Sequence, residues 1–302
     1  MKLGLDIGGT KIEAAVLDAA GAIRFQRRRA TPGSYAGMLA VVQDLVEEAE
    51  KTTGGSLTVG VGSPGAISPQ TGMMQNAENI DGLDGRRLDK DLESALDRRV
   101  RLANDADCFA LSEAVDGAAA GGSLVLGVIL GTGCGGGLVV ERKLVSGVNA
   151  SAGEWGHNSL PWPDASEFPA PLCICGKRGC MELYLSGPGM SRDHLEKTGD
   201  RLSPPVIVDR ARKGDPTCAG TFERYVDRLA RGMASLINVL DPDVIVVGGG
   251  LSQIEALYTE VPARWRQYVS GSRTGTKFVP NKHGDSSGVR GAARLWDNAD
   301  GA

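Results

Sequence analysis

Short apolar runs, separated by glycine and polar residues, open the chain in a pattern typical of β-strands joined by tight turns. The pattern predicts strands over residues 2–7, 12–17 and 22–29. Over residues 34–53, and again over 222–240, the apolar positions change to helical spacing. Shorter predicted segments are helices over 88–96, 106–116 and 289–296, and strands over 59–62, 100–103, 124–130, 138–140 and 244–247.

A strand, a glycine turn and a returning strand occur twice. The first turn lies in DIGGTK at residues 6–11, and the second is GTGCGGG at residues 131–137. Backbone N–H groups bind phosphate when they point inward, and glycine permits that close approach. Either turn alone is more simply a tight hairpin, but their repetition favours phosphate binding. The repetition also predicts two related lobes that share a cleft, with a boundary near residues 117–122.

Composition limits the partners and the compartment. The 302 residues carry a formal net charge of −4, which gives no basic field for nucleic acid or an anionic membrane. The chain has no signal-peptide pattern and no apolar stretch of membrane-spanning length, so we expect a cytoplasmic protein. In that compartment its six cysteines are not expected to form a disulfide framework.

The second glycine turn also fits G-x-G-x-x-G, the fingerprint of dinucleotide-binding dehydrogenases, and Glu154 follows at a suitable distance for their ribose-binding acid. That class needs a helix directly after the turn, whereas Leu138, Val139 and Val140 are typical of a strand. The P-loop sequence and the protein-kinase signatures are both absent. The pattern therefore favours a phosphate hairpin over a dehydrogenase.

Carboxylates follow two of the predicted strands. Asp6 ends the first strand, where it is either a turn cap or a ligand for Mg²⁺ on a triphosphate. Asn104 and Asp105 end the strand over 100–103, at the edge where open α/β sheets bind ligands. Asp105 is the candidate proton acceptor for a hydroxyl that attacks the terminal phosphate, with Asn104 orienting the molecule that carries this hydroxyl. Spacing alone favours Asp105 as a helix N-cap, and Asp107 competes for its role.

A cysteine-rich loop, CICGKRGC, gives the most specific local signal. The thiols of Cys173, Cys175 and Cys180 match a tetrahedral metal site that lacks one ligand. His157, in GEWGH, is the nearest upstream histidine and the expected fourth ligand. A closed set of three thiolates and one imidazole is typical of structural zinc. The alternative is a redox-active or simply buried cysteine cluster.

These motifs, in this order, resemble the ROK family of sugar kinases and repressors, within the actin-like ATPase superfamily. The resemblance extends nearly from end to end, through DIGGTK, GSPG, ANDAD, LGTGCGGG, GEWGH, CICGKRGCME and DPDVIVVGGGLS. It is greatest to the bacterial fructokinase (mannokinase) branch, and the N-acetylglucosamine kinase branch is nearly as similar around NDADCFALSEA. The family's repressors carry a helix-turn-helix before the first strand. Here that strand begins at residue 2, so the resemblance does not support a repressor and we expect an enzyme.

The resemblance implies an α/β fold of two actin-like (ribonuclease H-like) ATPase lobes around a central cleft. Residues 1–118, completed by a C-terminal helix over 288–302, would form the N-terminal lobe, and residues 119–287 the C-terminal lobe with the zinc loop. The implied reaction is ATP-dependent phosphorylation of a hexose, first D-fructose to fructose 6-phosphate. N-acetylglucosamine, mannose and glucose are alternatives, and a zinc-braced sugar sensor is the non-enzymatic one. ATP, Mg²⁺ and Zn²⁺ are the implied cofactors, and a homodimer the implied assembly.

The resemblance also implies roles for single residues. Asp105 matches the family's catalytic base. The positions that match sugar contacts are Gly65, Asn104, Asp105, Glu154, His157 and Glu182. The positions that match the zinc set are His157, Cys173, Cys175 and Cys180. The positions that match ATP-binding segments are Gly4, Leu5, Asp6, Ile7, Gly8, Gly9, Thr10, Lys11, Gly131, Thr132, Gly133, Cys134, Gly135, Gly136, Gly137 and Leu138.

A third glycine site follows the apolar strand over residues 244–247. Its residues are Gly248, Gly249 and Gly250. Without side chains, they would let a flat adenosine lie against bare backbone. A simple strand-to-helix turn explains the same three residues equally well.

Overall fold

The computed structural model describes residues 1–77, 80–271 and 274–297. The chain divides into two compact units. The first unit comprises Met1–Gly121, Gly137–Ala152 and Lys282–Ala302, and the second comprises Gly122–Gly136 and Gly153–Asn281. The strands, in chain order, are β1 (Lys2–Ile7), β2 (Lys11–Leu17), β3 (Ile23–Ala30), β4 (Thr58–Ser63), β5 (Ala66–Ile67), β6 (Met74–Gln75), β7 (Val100–Asn104), β8 (Leu124–Leu130), β9 (Cys134–Val140), β10 (Lys143–Val145), β11 (Val244–Gly248) and β12 (Lys277–Pro280).

The α-helices, in chain order, are α1 (Tyr35–Thr53), α2 (Leu88–Leu96), α3 (Asp105–Val115), α4 (Glu182–Leu185), α5 (Gly187–Thr198), α6 (Pro204–Arg212), α7 (Pro216–Leu240), α8 (Leu257–Trp265) and α9 (Ser287–Arg294). The described residues also form four 3-10 segments, at Trp155–His157, Ala165–Glu167, Gly250–Gln253 and Gly284–Ser286. Among the described residues, none of the helices combines the length and the apolar character needed to cross a membrane.

The first unit is built on a five-stranded sheet of order β3-β2-β1-β4-β7. The first three strands form the predicted antiparallel meander, whereas β4 and β7 run parallel to β1. Parallel strands present their carboxyl ends at one edge of a sheet. In this register Asp6 lies beside Gly62, and Ser63 lies beside Asn104. The sheet therefore gathers the polar ends of β1, β4 and β7 at a single edge.

Helix α1 covers this sheet with the face that its apolar spacing predicts. Ser34 caps it by accepting a hydrogen bond from the Gly37 amide, and Gly54 ends it in the left-handed conformation at φ 78°. Its buried residues are Met38, Val42, Leu45, Val46 and Ala49. They join the core of β1, β2 and β4, whose burial supplies the main stabilisation of the unit.

Helix α9 lies on the sheet at unusually short range. A Cβ added at Gly4 would come within 1.9 Å of the Val289 carbonyl oxygen, and one at Gly60 within 1.9 Å of the Ala292 carbonyl oxygen. Only glycine permits this approach in β1 and β4. The helix predicted over 289–296 is thus present, shifted to Ser287–Arg294. Residues 298–302 of the longer predicted segment lie outside the described residues.

The second sheet has the order β10-β9-β8-β11-β12, in which β8, β11 and β12 are parallel. The long helix α7 begins at Pro216, six positions before the predicted start. Asp215 accepts hydrogen bonds from the amides of Thr217 and Cys218, and Pro216 takes the first helical position, where it needs no N–H partner. The capping residues thus begin the helix before its apolar stripe does.

Candidate active site

Asn104 and Asp105 lie where β7 meets α3. The side-chain oxygen of Asn104 accepts a hydrogen bond from the Ala106 amide at 2.9 Å, so Asn104 is the N-cap of α3. Asp105 is the first helical residue, and its Oδ1 accepts from the same amide at 2.8 Å. The helix cap that spacing assigned to Asp105 therefore belongs to its neighbour. The carboxylate of Asp105 stays half-buried at the sheet edge.

Gly65 lies in contact with this strand–helix junction. The Nδ2 of Asn104 donates to the Gly65 carbonyl oxygen at 3.2 Å. Gly65 has a φ of +70°, and a Cβ there would come within 2.4 Å of the Gln75 carbonyl oxygen. The position requires glycine for both reasons. Two of the predicted sugar contacts are thus held together by a direct hydrogen bond.

The first glycine turn closes through a hydrogen bond from the Gly8 amide to the Lys11 carbonyl oxygen at 2.9 Å. The hydroxyl of Thr31, a residue outside the turn, donates to the Gly8 carbonyl oxygen at 2.6 Å and so stabilises the turn. Gly9, Thr10 and Lys11 are exposed and accessible to a ligand. By contrast, Leu5 and Ile7, which the resemblance also assigned to ATP binding, have side chains fully buried in the core.

Asp6 has a strongly perturbed carboxylate at this edge. Burial, followed by the negative charges of Asp105 and Glu13, raises the pKa of Asp6 to about 7, while Lys11 and Arg28 act in the opposite direction. Several carboxylates in one desolvated place repel each other and are stabilised by a cation. The donor set is the one that Mg²⁺ prefers, since hard cations take oxygen ligands.

The second glycine turn, residues 131–137, is named here the phosphate turn. Its backbone closes through a hydrogen bond from the Gly131 amide to the Gly133 carbonyl oxygen at 3.0 Å, and the Gly187 amide donates to the Gly131 carbonyl oxygen at 2.8 Å. Strand β9 begins at Cys134, within the turn. A strand and not a helix follows this turn, so the turn does not belong to a dinucleotide-binding strand–helix unit.

The last glycine of the phosphate turn belongs to the first unit and packs on the start of α3. A Cβ at Gly137 would come within 2.8 Å of the Ala106 carbonyl oxygen and of the Asp107 Cα. Leu138, which follows, is half-buried in β9. Within the first unit, Gly137 therefore packs against Ala106, the residue that follows Asp105.

Glu182 contacts the phosphate turn directly. Its Oε2 accepts a hydrogen bond from the Cys134 amide at 2.9 Å. A Cβ at Gly133 would come within 2.7 Å of the same oxygen, so glycine makes room for the carboxylate. Burial, aided by the Glu182 charge, raises the pKa of the Cys134 thiol well above its ordinary range and keeps it neutral. A predicted sugar contact thus touches a predicted ATP segment.

Gly248, Gly249 and Gly250 behave differently from one another. Gly248 ends β11 and is buried. Gly249 has a φ of +81°, and a Cβ there would come within 2.4 Å of the Leu130 carbonyl oxygen. Gly250 is exposed, with open space where a Cβ would lie, and it begins a 3-10 segment. The three glycines therefore form a turn from strand β11 into a 3-10 segment. The bare surface expected of an adenosine site lies at Gly250.

His157, Cys173, Cys175 and Cys180 form the predicted metal cluster. Their ligand atoms all lie within 4.8 Å of one another. The Sγ atoms of Cys175 and Cys180 are 3.5 Å apart, and Cys173 Sγ is 3.7 Å from His157 Nδ1. A tetrahedral zinc with sulfur at about 2.3 Å sets ligands about 3.8 Å apart, so the four residues fit zinc. The six cysteines, all in the described residues, are free thiols.

The backbone of the loop explains why these ligands meet. The Leu160 amide donates to the Gly179 carbonyl oxygen at 2.9 Å, and the Met181 amide to the Asn158 carbonyl oxygen at 2.8 Å. These bonds join the GEWGH segment to the cysteine loop. A hydrogen bond from the Lys177 amide, as the largest cause, lowers the pKa of Cys175 to about 7. That shift favours the thiolate, the form in which cysteine binds metal.

The structure brings the predicted residues together in two groups. In the first unit the group contains Asp6, Gly65, Asn104 and Asp105. In the second unit Glu154, at the start of the Trp155–His157 segment, is exposed, and its carbonyl oxygen accepts from the His157 amide at 3.3 Å. Glu182 follows Cys180 by two residues and begins α4. Along the chain, the predicted metal cluster therefore includes one predicted sugar contact of this unit, His157, and lies close to the other two.

A buried ionic cluster in the second unit escaped sequence reasoning. Glu167, 5 % exposed, accepts from Arg228 at 2.8 Å and from Arg231 at 2.6 Å. Arg231 also donates to the Trp162 carbonyl oxygen at 2.8 Å, and Arg228 pairs with Asp193. These bonds fix the segment between His157 and the cysteine loop onto α7. The sequence feature that indicates this cluster is the pair Arg228 and Arg231, three positions apart on the apolar side of α7.

Comparison with known proteins places the chain in a well-populated group. A model of the ROK family matches residues 2–299. N-acetylgalactosamine kinase AgaK from Shewanella sp. (strain ANA-3) is 40% identical over 303 residues, which is 99% of this chain and 98% of that protein. N-acetyl-D-glucosamine kinase from Salmonella typhimurium is 40% identical over 300 residues, which is 98% of this chain and 99% of that protein.

Solved structures agree with this result. The ROK hexokinase from Thermus thermophilus superposes with a TM-score of 0.88 at 30% identity and covers 100% of both chains. A ROK family glucokinase from Streptomyces griseus, in complex with glucose and AMPPNP, gives a TM-score of 0.77 at 30% identity, over 97% of this chain and 98% of that one. The predicted actin-like α/β fold is thereby confirmed.

Proposed function

The chain belongs to the ROK family, and from that membership we propose that it is an ATP-dependent sugar kinase that phosphorylates an N-acetylated aminosugar. The choice of acceptor sugar is supported by the proteins to which the chain is similar. Two proteins that match nearly the whole chain at 40% identity are an N-acetylgalactosamine kinase and an N-acetyl-D-glucosamine kinase. The resemblance to the fructokinase branch favoured fructose, and these relatives favour the N-acetylglucosamine alternative instead.

Asp105 is assigned as the base that receives the proton of the acceptor hydroxyl, at O6 of the sugar. As that oxygen forms its bond to the γ-phosphorus, the bond from the γ-phosphorus to the bridging oxygen breaks and ADP leaves. The Ala106 amide orients the carboxylate of Asp105 by a hydrogen bond at 2.8 Å. Asn104, anchored to Gly65 at 3.2 Å, is assigned to hold the sugar for in-line attack.

The two glycine turns are assigned to the phosphates of ATP. Gly9 and Thr10 offer backbone N–H groups in the first unit, and Lys11, exposed beside them, offers a positive charge. The phosphate turn offers backbone N–H groups in the second unit. Gly250 offers an open surface for adenosine. Mg²⁺, when bound, offsets the charge of the transferring phosphoryl group, and Asp6 is the residue assigned to hold it.

The zinc cluster is assigned a structural role. A zinc ion there, with four protein ligands, fixes the loop and does no chemistry of its own. His157 was expected both to bind zinc and to contact the sugar, and its two nitrogens allow both. Nδ1 faces the Cys173 thiol at 3.7 Å, so Nε2 is the atom assigned to the sugar. Glu154 and Glu182 are assigned to hydroxyls of the same sugar.

The test of this function is product formation. Purified protein with ATP, Mg²⁺ and N-acetylglucosamine or N-acetylgalactosamine should release one ADP for each sugar phosphate formed, with the product identified by mass spectrometry. Asp105→Asn serves as the inactive control. A protein that binds these sugars but forms no sugar phosphate would instead be a sensor, and the proposed function would be wrong.

A further inference from the structure

Residues 153–182, which carry the metal cluster, are named here the zinc loop, and Trp155 of this loop contacts the phosphate turn. Its indole Nε1 donates a hydrogen bond to the Gly135 carbonyl oxygen at 2.8 Å, and the residue is only 3 % exposed. The bond lies inside the second unit, where Trp155 begins the 3-10 segment that ends at His157. A buried donor of this kind is costly to leave unpaired, so the bond fixes the carbonyl as well as the ring.

Glycines on both sides permit this contact. A Cβ at Gly136 would come within 2.7 Å of the Trp155 ring, and a Cβ at Gly156 would come within 2.2 Å of the Cys134 carbonyl oxygen. Both clashes involve groups that cannot swing away, namely a buried ring and a backbone carbonyl. The zinc loop and the phosphate turn therefore fit together at the level of their backbones.

A second contact to the turn comes from the cysteine end of the same loop. The Cys134 amide donates to Glu182 at 2.9 Å. Trp155 stands two positions before the zinc ligand His157, and Glu182 stands two positions after the zinc ligand Cys180. Both of these contacts are thus close along the chain to a residue of the metal cluster.

We propose that Trp155 is a positioning residue for nucleotide binding, which holds the phosphate turn in the shape that receives the phosphates of ATP. The proposal rests on the proposed function, since it takes the turn to be a nucleotide site. A turn held in its bound shape loses less conformational freedom on binding than a loose one, so the ligand binds more tightly. Loss of the hold should therefore weaken nucleotide binding more than sugar binding.

The experiment compares Trp155→Phe with Trp265→Phe. Trp265 is also buried in the second unit, but it packs edge-on against Phe278 at 5.6 Å instead of contacting the phosphate turn. Phenylalanine keeps an aromatic ring at position 155 and removes only the donor and part of the volume. Calorimetry gives the Kd of AMPPNP, and steady-state kinetics give KM for ATP and for N-acetylglucosamine. Elemental analysis and circular dichroism confirm that zinc and fold are retained.

Trp155→Phe should raise the Kd of AMPPNP roughly three- to tenfold, which is the loss expected for one hydrogen bond. KM for the sugar should change clearly less, and Trp265→Phe should leave nucleotide binding as in the wild type. An unchanged Kd in folded, zinc-containing Trp155→Phe would overturn the proposal. So would an equal loss in Trp265→Phe, or a larger loss for the sugar than for AMPPNP.

A measurement on the wild type stands independently of the variants. The indole N–H resonance of Trp155 should shift when AMPPNP binds, because its acceptor belongs to the turn, and an unmoved resonance at saturation contradicts the proposal. The proposed function fails separately. A wild type that binds AMPPNP but phosphorylates no sugar refutes the kinase and leaves the role of Trp155 intact, whereas one that does not bind AMPPNP refutes both.

Discussion

Asp105 offers a carboxylate at the start of α3, half-buried and oriented by the Ala106 amide. If it is the base, Asp105→Asn should lower kcat by roughly 100- to 10,000-fold, the range that general base catalysis supplies. KM for the sugar should change little, because the amide keeps the size and a hydrogen-bonding oxygen. A coupled ADP assay at saturating ATP measures both constants.

Asp107 provides the matched control for this experiment. It lies two positions further along α3, is 8 % exposed, and packs beside Gly137. Asp107→Asn should keep substantial turnover, provided that circular dichroism shows a folded protein. Near-normal turnover in Asp105→Asn would show that Asp105 is not the base. A collapse of turnover in Asp107→Asn alone would assign the base to Asp107.

Asp116 gives a prediction about stability and pH. Burial opposes its ionisation, but hydrogen bonds from His283 at 3.0 Å and from Arg294, together with the charge of Arg290, hold its pKa well below the ordinary value. A lowered pKa stabilises the fold above the unfolded-state pKa of about 4, and this stabilisation is lost as the pH falls below it.

Asp116→Asn should therefore lower the free energy of unfolding at pH 7 by roughly 1–2 kcal/mol, since partial exposure screens these charges. The difference from the wild type should shrink below about pH 4. Urea denaturation at pH 7, 5 and 3.5 measures it. A difference that stays constant or grows at pH 3.5 would show that Asp116 does not act through its charge.

Residue roles could be predicted where a motif fixed them, and not where packing did. The order of Asn104 and Asp105 was readable, but spacing assigned the cap to the wrong one of the two. The hydrogen bond from Cys134 to Glu182 joins residues 48 positions apart. Trp155 is ordinary by sequence, since nothing local to it marks the Gly135 carbonyl as its acceptor. Such pairs depend on how the loops fold back, which local periodicity does not encode.

At the scale of elements, the zinc loop makes the sharpest prediction. The wild type should contain about one zinc per chain, as a closed four-ligand site does. Cys175→Ser should lose most of that zinc and lower the Tm, because the loop then lacks the ion that joins its two ends. Elemental analysis and thermal denaturation of the purified proteins measure both effects.

Cys218 is the matched control, since it is a cysteine of the same unit that lies buried in α7, outside the metal cluster. Cys218→Ser should retain the full zinc content, whatever its effect on stability. Wild-type protein that is free of zinc yet fully active and stable would refute the metal site and support the cysteine-cluster alternative.

Elements with strong local signals were predictable from the sequence. Strand β1 and helix α2 have the predicted bounds, because each shows a clear period with turn residues beside it. Helix α7 was predicted too short because Cys218, Gly220 and Thr221 weaken its apolar pattern, whereas the cap at Asp215 sets the true start. Helices α5, α6 and α8 were not predicted. Their few buried positions leave weak periodicity, and α8 even contains Pro262.

For the whole molecule, the repeated strand–turn–strand pattern and the family resemblance together predicted the fold. The approach of α9 to the sheet was beyond sequence reasoning. It joins Gly4 to Val289 and Gly60 to Ala292, across most of the chain. The homodimer and the exact lobe boundaries stay predictions. Light scattering in solution tests the first of these.

The identity of the sugar was the weakest inference from sequence. Hexoses and their N-acetylated forms share most hydroxyls, so the motif residues that contact those hydroxyls do not distinguish them. Discrimination depends on the wall around a single substituent, which no motif specifies. The choice of an N-acetylated sugar therefore rests on the similar proteins.

The most direct test is kcat/KM for a panel of sugars in one ADP-release assay: N-acetylglucosamine, N-acetylgalactosamine, glucose, mannose and fructose. One of the two N-acetylated sugars should give the highest kcat/KM, exceeding fructose by at least roughly tenfold, the lower end of what one substituent in a fitted pocket provides. A kcat/KM for fructose, glucose or mannose that equals or exceeds both would contradict the aminosugar kinase.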